Sequence, residues 1–122
     1  MSQPPHSHPS VEPFWWFLFA AGGTVAALFL PVHILVHGIL APMGLLSDDA
    51  TSYDRMIGWV SNPIVKLYLL VIIVFPLFHA AHRIKFTIVD LGWKVSTATL
   101  SVVCYGGAAL ATGAALAILG QF

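Results

Sequence analysis

Three long apolar runs, residues 14–46, 64–81 and 95–120, fill nearly all of this 122-residue chain. The hydrocarbon core of a bilayer is roughly 30 Å thick, so a helix that crosses it needs about 20 mostly apolar residues. Each run approaches or exceeds that length. With 58% hydrophobic and only 8% charged residues, the chain has too little charge to solvate a shell of its own. These features predict an all-α integral membrane protein with three transmembrane helices, unstable as an isolated monomer. The spans are expected at about 14–38, 63–82 and 96–119, in one unit covering residues 13–122.

Composition excludes several classes of function. Five basic residues balance five acidic ones, which leaves nucleic-acid binding without an electrostatic basis. The single cysteine, Cys104, rules out an intrachain disulfide and reads as a small hydrophobe inside the third run. There is no glycine-rich phosphate loop, no CxxC pair and no nucleophile elbow, and no metal site is expected. Residues 1–12 carry no Lys or Arg, so they lack the basic start of a signal peptide, and the first apolar run is kept as structure. With Pro4, Pro5 and Pro9 among polar residues, that segment is expected to be a flexible cytoplasmic N-terminus.

The two connections differ in sign. The first carries Asp48, Asp49 and Asp54 against Arg55; the second carries Arg83, Lys85 and Lys94 against Asp90. Cytoplasmic connections are rich in Lys and Arg, so the second is read as cytoplasmic, which puts the N-terminus on the same side. A continuous helix over 14–46 would be about 50 Å long, longer than a bilayer, so bends are expected at Pro31 and Pro42. Ser47-Asp48-Asp49 reads as a helix start, with residues 51–60 as a short surface helix presenting Met56, Trp59 and Val60 to the lipid boundary. Asn62-Pro63 reads as cap and first turn of the second span, and Pro76 as a kink within it. The third span is rich in glycine and alanine, and Gly22-Gly23 does similar service in the first. Small residues let helix backbones approach closely in lipid.

Ionisable groups inside a membrane are costly, which makes them the functional candidates: His33, His37, His79, His82 and Arg83. Two helices that each offer histidines point to a bis-histidine haem. Depth argues against one within this chain, because His33 lies about 25 Å along the axis from Trp16 while His79 and His82 fall at the opposite end of the second span. A haem shared with a neighbouring chain stays open. From spacing alone, His82-Arg83 reads first as an interfacial anchor, with Arg83 snorkelling to headgroups. Its second reading is a site for an amphipathic quinone, whose carbonyls need donors and whose chemistry moves protons. Trp16 lies at the same expected depth and offers an indole N–H and a flat wall. Trp15 sits about 100° around the helix and is expected to miss that pocket.

The chain resembles the D-type membrane-anchor family of fumarate reductase. The resemblance rests on Glu12-Pro13 with Trp16 and Ala21-Gly22-Gly23, then Pro31-Val32, Ile34-Leu35, Gly38-Ile39-Leu40, Pro42 and Gly44-Leu45. Ser52-Tyr53 with Arg55, Pro76, His82-Arg83 and Asp90-Leu91 continue it, while the third span matches mainly in character. The resemblance implies a four-subunit complex of the bacterial inner membrane. In it a flavoprotein reduces fumarate, an iron–sulfur subunit relays electrons, and two anchors, the C-type and the D-type, hold both to the bilayer. It implies a shared menaquinol (menaquinone) site to which Trp16, His82 and Arg83 contribute, no haem, and a non-catalytic part for this chain. His33, His37 and His79 depart from the family pattern and inherit no role. Three rival readings stand beside it. One is a purely structural anchor with the quinone site in partner subunits, and a second is a haem-bearing succinate dehydrogenase-type anchor. The third, from another class, is a small multidrug transporter, which needs a carboxylate that no span here supplies.

Overall fold

The computed structural model describes residues 12–122. The flexible terminus expected over residues 1–12 lies outside them, save for Glu12, which opens the first helix. Helix α1 covers Glu12–His33 and continues as π-helical turns over Ile34–Leu40. Helix α2 covers Tyr53–Val60, α3 Pro63–Asp90 and α4 Thr97–Leu119. No strand occurs among the described residues. Three helices, Pro13–Leu40, Pro63–Asp90 and Thr97–Leu119, are long and apolar enough to cross a membrane. The all-α, three-span expectation holds.

Local chemistry accounts for most of the boundaries. Pro13 stands in the first turn of α1, where its missing N–H has no partner to lose. Asn62 caps α3 by accepting the Ile64 N–H at 2.9 Å, and Ser96 caps α4 by accepting the Thr99 N–H at 3.0 Å. Gly92, at φ +73°, makes the left-handed turn between α3 and α4, and Gly44, at φ +69°, lies in the turn that follows the first span.

One expectation is corrected, and two helices run past the expected span bounds. The first continues to Leu40, where the span is expected at about 14–38. The segment between Pro31 and Pro42 widens into π-helical turns, with the Ala41 N–H reaching back to the Val36 carbonyl. Each flanking proline removes a donor from the i→i−4 ladder, and the wider turn re-pairs what remains. Ser47-Asp48-Asp49 forms a turn closed by the Ala50 N–H on Ser47, not a helix start. Asp49 instead forms an ion pair with Arg55, which braces α2 from outside. Finally, α3 does not stop at His82-Arg83; it runs two further turns to Asp90. At 28 residues it is about 42 Å long, so its end projects from the hydrocarbon or the helix tilts.

Helix α3 is the middle of the bundle. It packs on α1 and on α4, both antiparallel to it, while α1 and α4 scarcely touch. The core is thin: Ile72, Ala81, Leu100, Ala108 and Leu119 are its only buried apolar side chains among the described residues. Large apolar side chains such as Leu28, Val102 and Leu110 are exposed on every span. A lipid-bathed helix gains nothing from hiding leucine from its surroundings, so association depends on close backbone packing. The closest approach is at Gly22-Gly23. A Cβ on Gly22 would stand 2.7 Å from the Phe75 carbonyl oxygen and 2.9 Å from His79 Cβ, and one on Gly23 2.7 Å from His79 Cε1.

Overpacking of this kind costs about 1–3 kcal/mol. Gly22→Ala is therefore expected to lower the melting temperature of the detergent-solubilised complex by a few degrees. Gly58→Ala, whose Cβ meets nothing within 4 Å, is expected to leave it unchanged. Differential scanning calorimetry of the two variants makes the comparison.

Candidate functional site

Where α1 and α4 diverge, one flank of α3 stays open, and a cleft of about 750 Å3 forms there. From α1 it takes Trp15, Trp16, Leu18 and Phe19; α3 adds Val74, Phe75, Phe78, His79 and His82; α4 adds Tyr105. The helical period explains the α1 and α3 members. Trp16 and Phe19 are three apart, Phe75 and His79 four apart, Phe78 and His82 four apart, so each set shares a helix face.

Two imidazoles are the polar centres of an otherwise apolar wall. Nδ1–H of His79 donates to the Phe19 carbonyl oxygen at 2.8 Å, across the gap that Gly22-Gly23 leaves open. Its ring stacks on Phe19, with centroids 4.4 Å apart and planes 15° from parallel. Nδ1 of His82 shares a hydrogen bond of 2.8 Å with the Tyr105 hydroxyl. Trp16, Phe19 and Phe86 surround the His82 ring at centroid distances of 6.2, 4.6 and 4.5 Å. Both histidines thus have one nitrogen committed. Neither Nε2 has a hydrogen-bond partner among the described residues, and neither is sealed from the surroundings.

Trp16 and His82 come together as expected, and the ends of α1 and α3 that carry them lie side by side. Arg83 does not line the cleft; it is exposed, with no ion pair among the described residues. Trp15 corrects the expectation that it would miss the pocket. The 100° argument treats side chains as thin spokes, whereas the cleft is broad and an indole wide enough to reach its rim.

The other histidine pair forms a separate cluster. Nε2 of His33 meets the Tyr68 hydroxyl at 2.7 Å, and the His33 and His37 rings stack at 5.7 Å. His33 follows Phe19 by fourteen residues, about 21 Å of helix, so the clusters occupy opposite ends of the α1–α3 pair. One haem cannot take ligands from both.

The sequence did not single out Phe19, His79 as a cleft residue, or Tyr105. The first two were legible from helical spacing to Trp16 and His82. Tyr105 was legible from symmetry about the α3–α4 turn: it lies eleven residues after Lys94, and His82 eleven before Trp93.

The family model for the D subunit of fumarate reductase matches residues 6–119. The chain belongs to the fumarate reductase D-subunit family. It is 44% identical over 103 residues to the fumarate reductase D subunit of Aliivibrio fischeri, covering 84% of this chain and 85% of that protein. It is also 44% identical over 108 residues to those of Mycobacterium bovis and Mycobacterium tuberculosis, covering 87% of this chain and 84% of each. Family membership makes it a membrane-anchor component of an oxidoreductase complex that has other subunits.

The cleft geometry gives a direct expectation for the family member in its complex. In a Cys104→Ser background, a Trp16→Cys/His82→Cys pair is expected to cross-link with a short bis-maleimide reagent. A Trp16→Cys/Tyr68→Cys pair is expected to stay unlinked, because Tyr68 lies fourteen residues from His82, about 21 Å along α3. Mass spectrometry of the purified chain distinguishes the outcomes.

Proposed function

We propose that this chain holds the flavoprotein and iron–sulfur subunits of a fumarate reductase to the bacterial inner membrane, beside a C-type anchor, and contributes part of a menaquinol oxidation site. The observation that carries the reading is the Trp16–His82 contact, centroids 6.2 Å apart, in a cleft of about 750 Å3 between α1 and α3. That volume suits a bicyclic headgroup with the start of its tail. The wall is apolar and aromatic, and the cleft lies on spanning helices where an isoprenoid chain can remain in lipid.

Menaquinol, when bound, supplies two electrons and two protons. In this reading the protein residues bind, orient and hold protons. Trp16, Phe19 and Phe78 form flat walls for a ring, and the Trp16 indole N–H is a donor. His82 has Nε2 free to give or accept a hydrogen bond at the polar end. Arg83 supplies positive charge beside the mouth, toward the region where a neighbouring component of the complex would close it. The Lys and Arg of the second connection favour a cytoplasmic location for this end of the bundle, and so for the N-terminus. The chain brings no redox centre of its own to this scheme and acts as a non-catalytic component; haem has no part in it.

The absence of Arg83 from the cleft lining favours one alternative, an anchor whose quinol site belongs wholly to its partners. Activity measurements separate the two. Trp16→Ala and His82→Ala in the intact complex are expected to lower quinol-linked fumarate reduction at least about tenfold, a loss of about 1.4 kcal/mol. Dye-linked fumarate reduction, which bypasses the membrane anchors, is expected to be unchanged. Normal quinol kinetics in both variants, with normal assembly, would leave the anchor-only reading.

A further inference from the structure

We infer that Tyr105 is a positioning residue for His82: it engages one ring nitrogen, so that the other meets a ligand in the cleft, and it leaves that nitrogen able to donate or to accept. The inference rests on the quinol-site reading and deepens it. Tyr105 comes from α4, the helix that contributes nothing else to the cleft lining. Its hydroxyl lies 2.8 Å from His82 Nδ1, with the rings 6.4 Å apart.

The contacts around His82 divide into two kinds. Phe19 and Phe86, at 4.6 and 4.5 Å, hold the ring plane but exert no choice between its nitrogens. The Tyr105 hydroxyl is its sole hydrogen-bond partner among the described residues, so it alone makes that choice. In a neutral imidazole one nitrogen carries the proton and the other a lone pair. When the hydroxyl donates to Nδ1, Nε2 carries the proton and is a donor, as a quinone carbonyl requires. When the hydroxyl accepts from Nδ1–H, Nε2 presents a lone pair, as a quinol hydroxyl requires. Between the two states Nε2 takes the proton that the quinol gives up and Nδ1 passes its own to the phenol oxygen as the phenol releases its proton to water, and no heavy atom has to move.

Tyr105 is itself held in place. The Lys85 ammonium stands 5.6 Å from its ring centroid and 5.1 Å from that of Phe86, one cation bridging two aromatic faces. The titratable or charged groups around His82 are His79, Arg83 and Lys85 on α3 and Tyr105 with Cys104 on α4; the α1 side chains that face it are Trp16 and Phe19. The aromatic cage and the cation are shared by any residue with a ring at 105. The hydroxyl is the separable element.

A double-mutant cycle on the intact complex tests this. Tyr105→Phe keeps the ring over Lys85 and removes only the hydroxyl. It is expected to lower quinol-linked kcat/KM about threefold to tenfold, to weaken binding of a fluorescent alkyl-hydroxyquinoline N-oxide by a similar factor, and to shift the midpoint of the quinol-linked pH profile. In a His82→Ala background, Tyr105→Phe is expected to add nothing to any of the three. Losses that multiply in the double variant would overturn the inference, because Tyr105 would then act independently of His82. Wild-type behaviour of Tyr105→Phe alongside an impaired His82→Ala would overturn it too, while leaving the quinol site standing. An unimpaired His82→Ala would remove the quinol-site reading itself, and the inference with it.

Discussion

The close approach of α1 and α3 at Gly22-Gly23 is the contact on which the rest of the arrangement depends. Two adjacent glycines cost a helix about 1 kcal/mol each in propensity relative to alanine. What they permit here is specific: the Phe75 carbonyl and the His79 ring occupy the space two methyl groups would fill. With His79 seated in that space, its Nδ1–H reaches the Phe19 carbonyl, and its ring covers the Phe19 ring. Phe19 in turn lies against His82. One backbone approach thus orders a chain of side chains running toward the N-terminal end of α1, and the Trp16–His82 contact is the last link.

The cleft follows from the same architecture. Because α3 packs on α1 with one flank and on α4 with another, the two outer helices scarcely meet. A three-helix bundle closed on itself would fill the gap with side chains; this one leaves it lined by aromatic rings. The thin core has the same origin. With few side chains buried and large apolar ones exposed on every span, the chain alone satisfies its backbone but not its surfaces. Lipid or neighbouring subunits must cover them, as expected of one member of a multi-subunit enzyme family.

Features governed by local sequence were legible in advance. Span number and rough position follow from apolar length, and the Asn62 end from capping chemistry. Proximity of Trp16 to His82 follows from two antiparallel helices of similar length. Features that depend on competition between nearby partners were not. Asp49 reads as a helix starter until Arg55, six residues on, takes its carboxylate, and the π-helical turns between Pro31 and Pro42 have no signature in residue spacing. Helix α3 outruns the expected span because His82-Arg83 looks like a polar boundary in one dimension. In three dimensions His82 is turned inward to Tyr105 and Phe19, while Ile84, Phe86, Ile88 and Val89 continue the helix to Asp90. Trp15 was misjudged because angle around a helix says little about the reach of an indole.

The two imidazoles explain how polarity is tolerated in this wall. An unpaired polar group in a low-dielectric setting costs several kcal/mol, and each histidine avoids most of that by tying Nδ1 to a partner within the protein. The partners differ in kind. The Phe19 carbonyl can only accept, so His79 is locked as the Nδ1–H tautomer and its Nε2 is a permanent acceptor while the ring is neutral. The Tyr105 hydroxyl can accept or donate, so His82 keeps both tautomers. Three residues apart on α3, the pair sits about 4.5 Å apart along the axis, one nitrogen fixed and one convertible. A group that must first accept and then donate a hydrogen bond needs the convertible one. In the proposed quinol site that role falls to His82, while His79 holds Phe19, and through it the wall, in place.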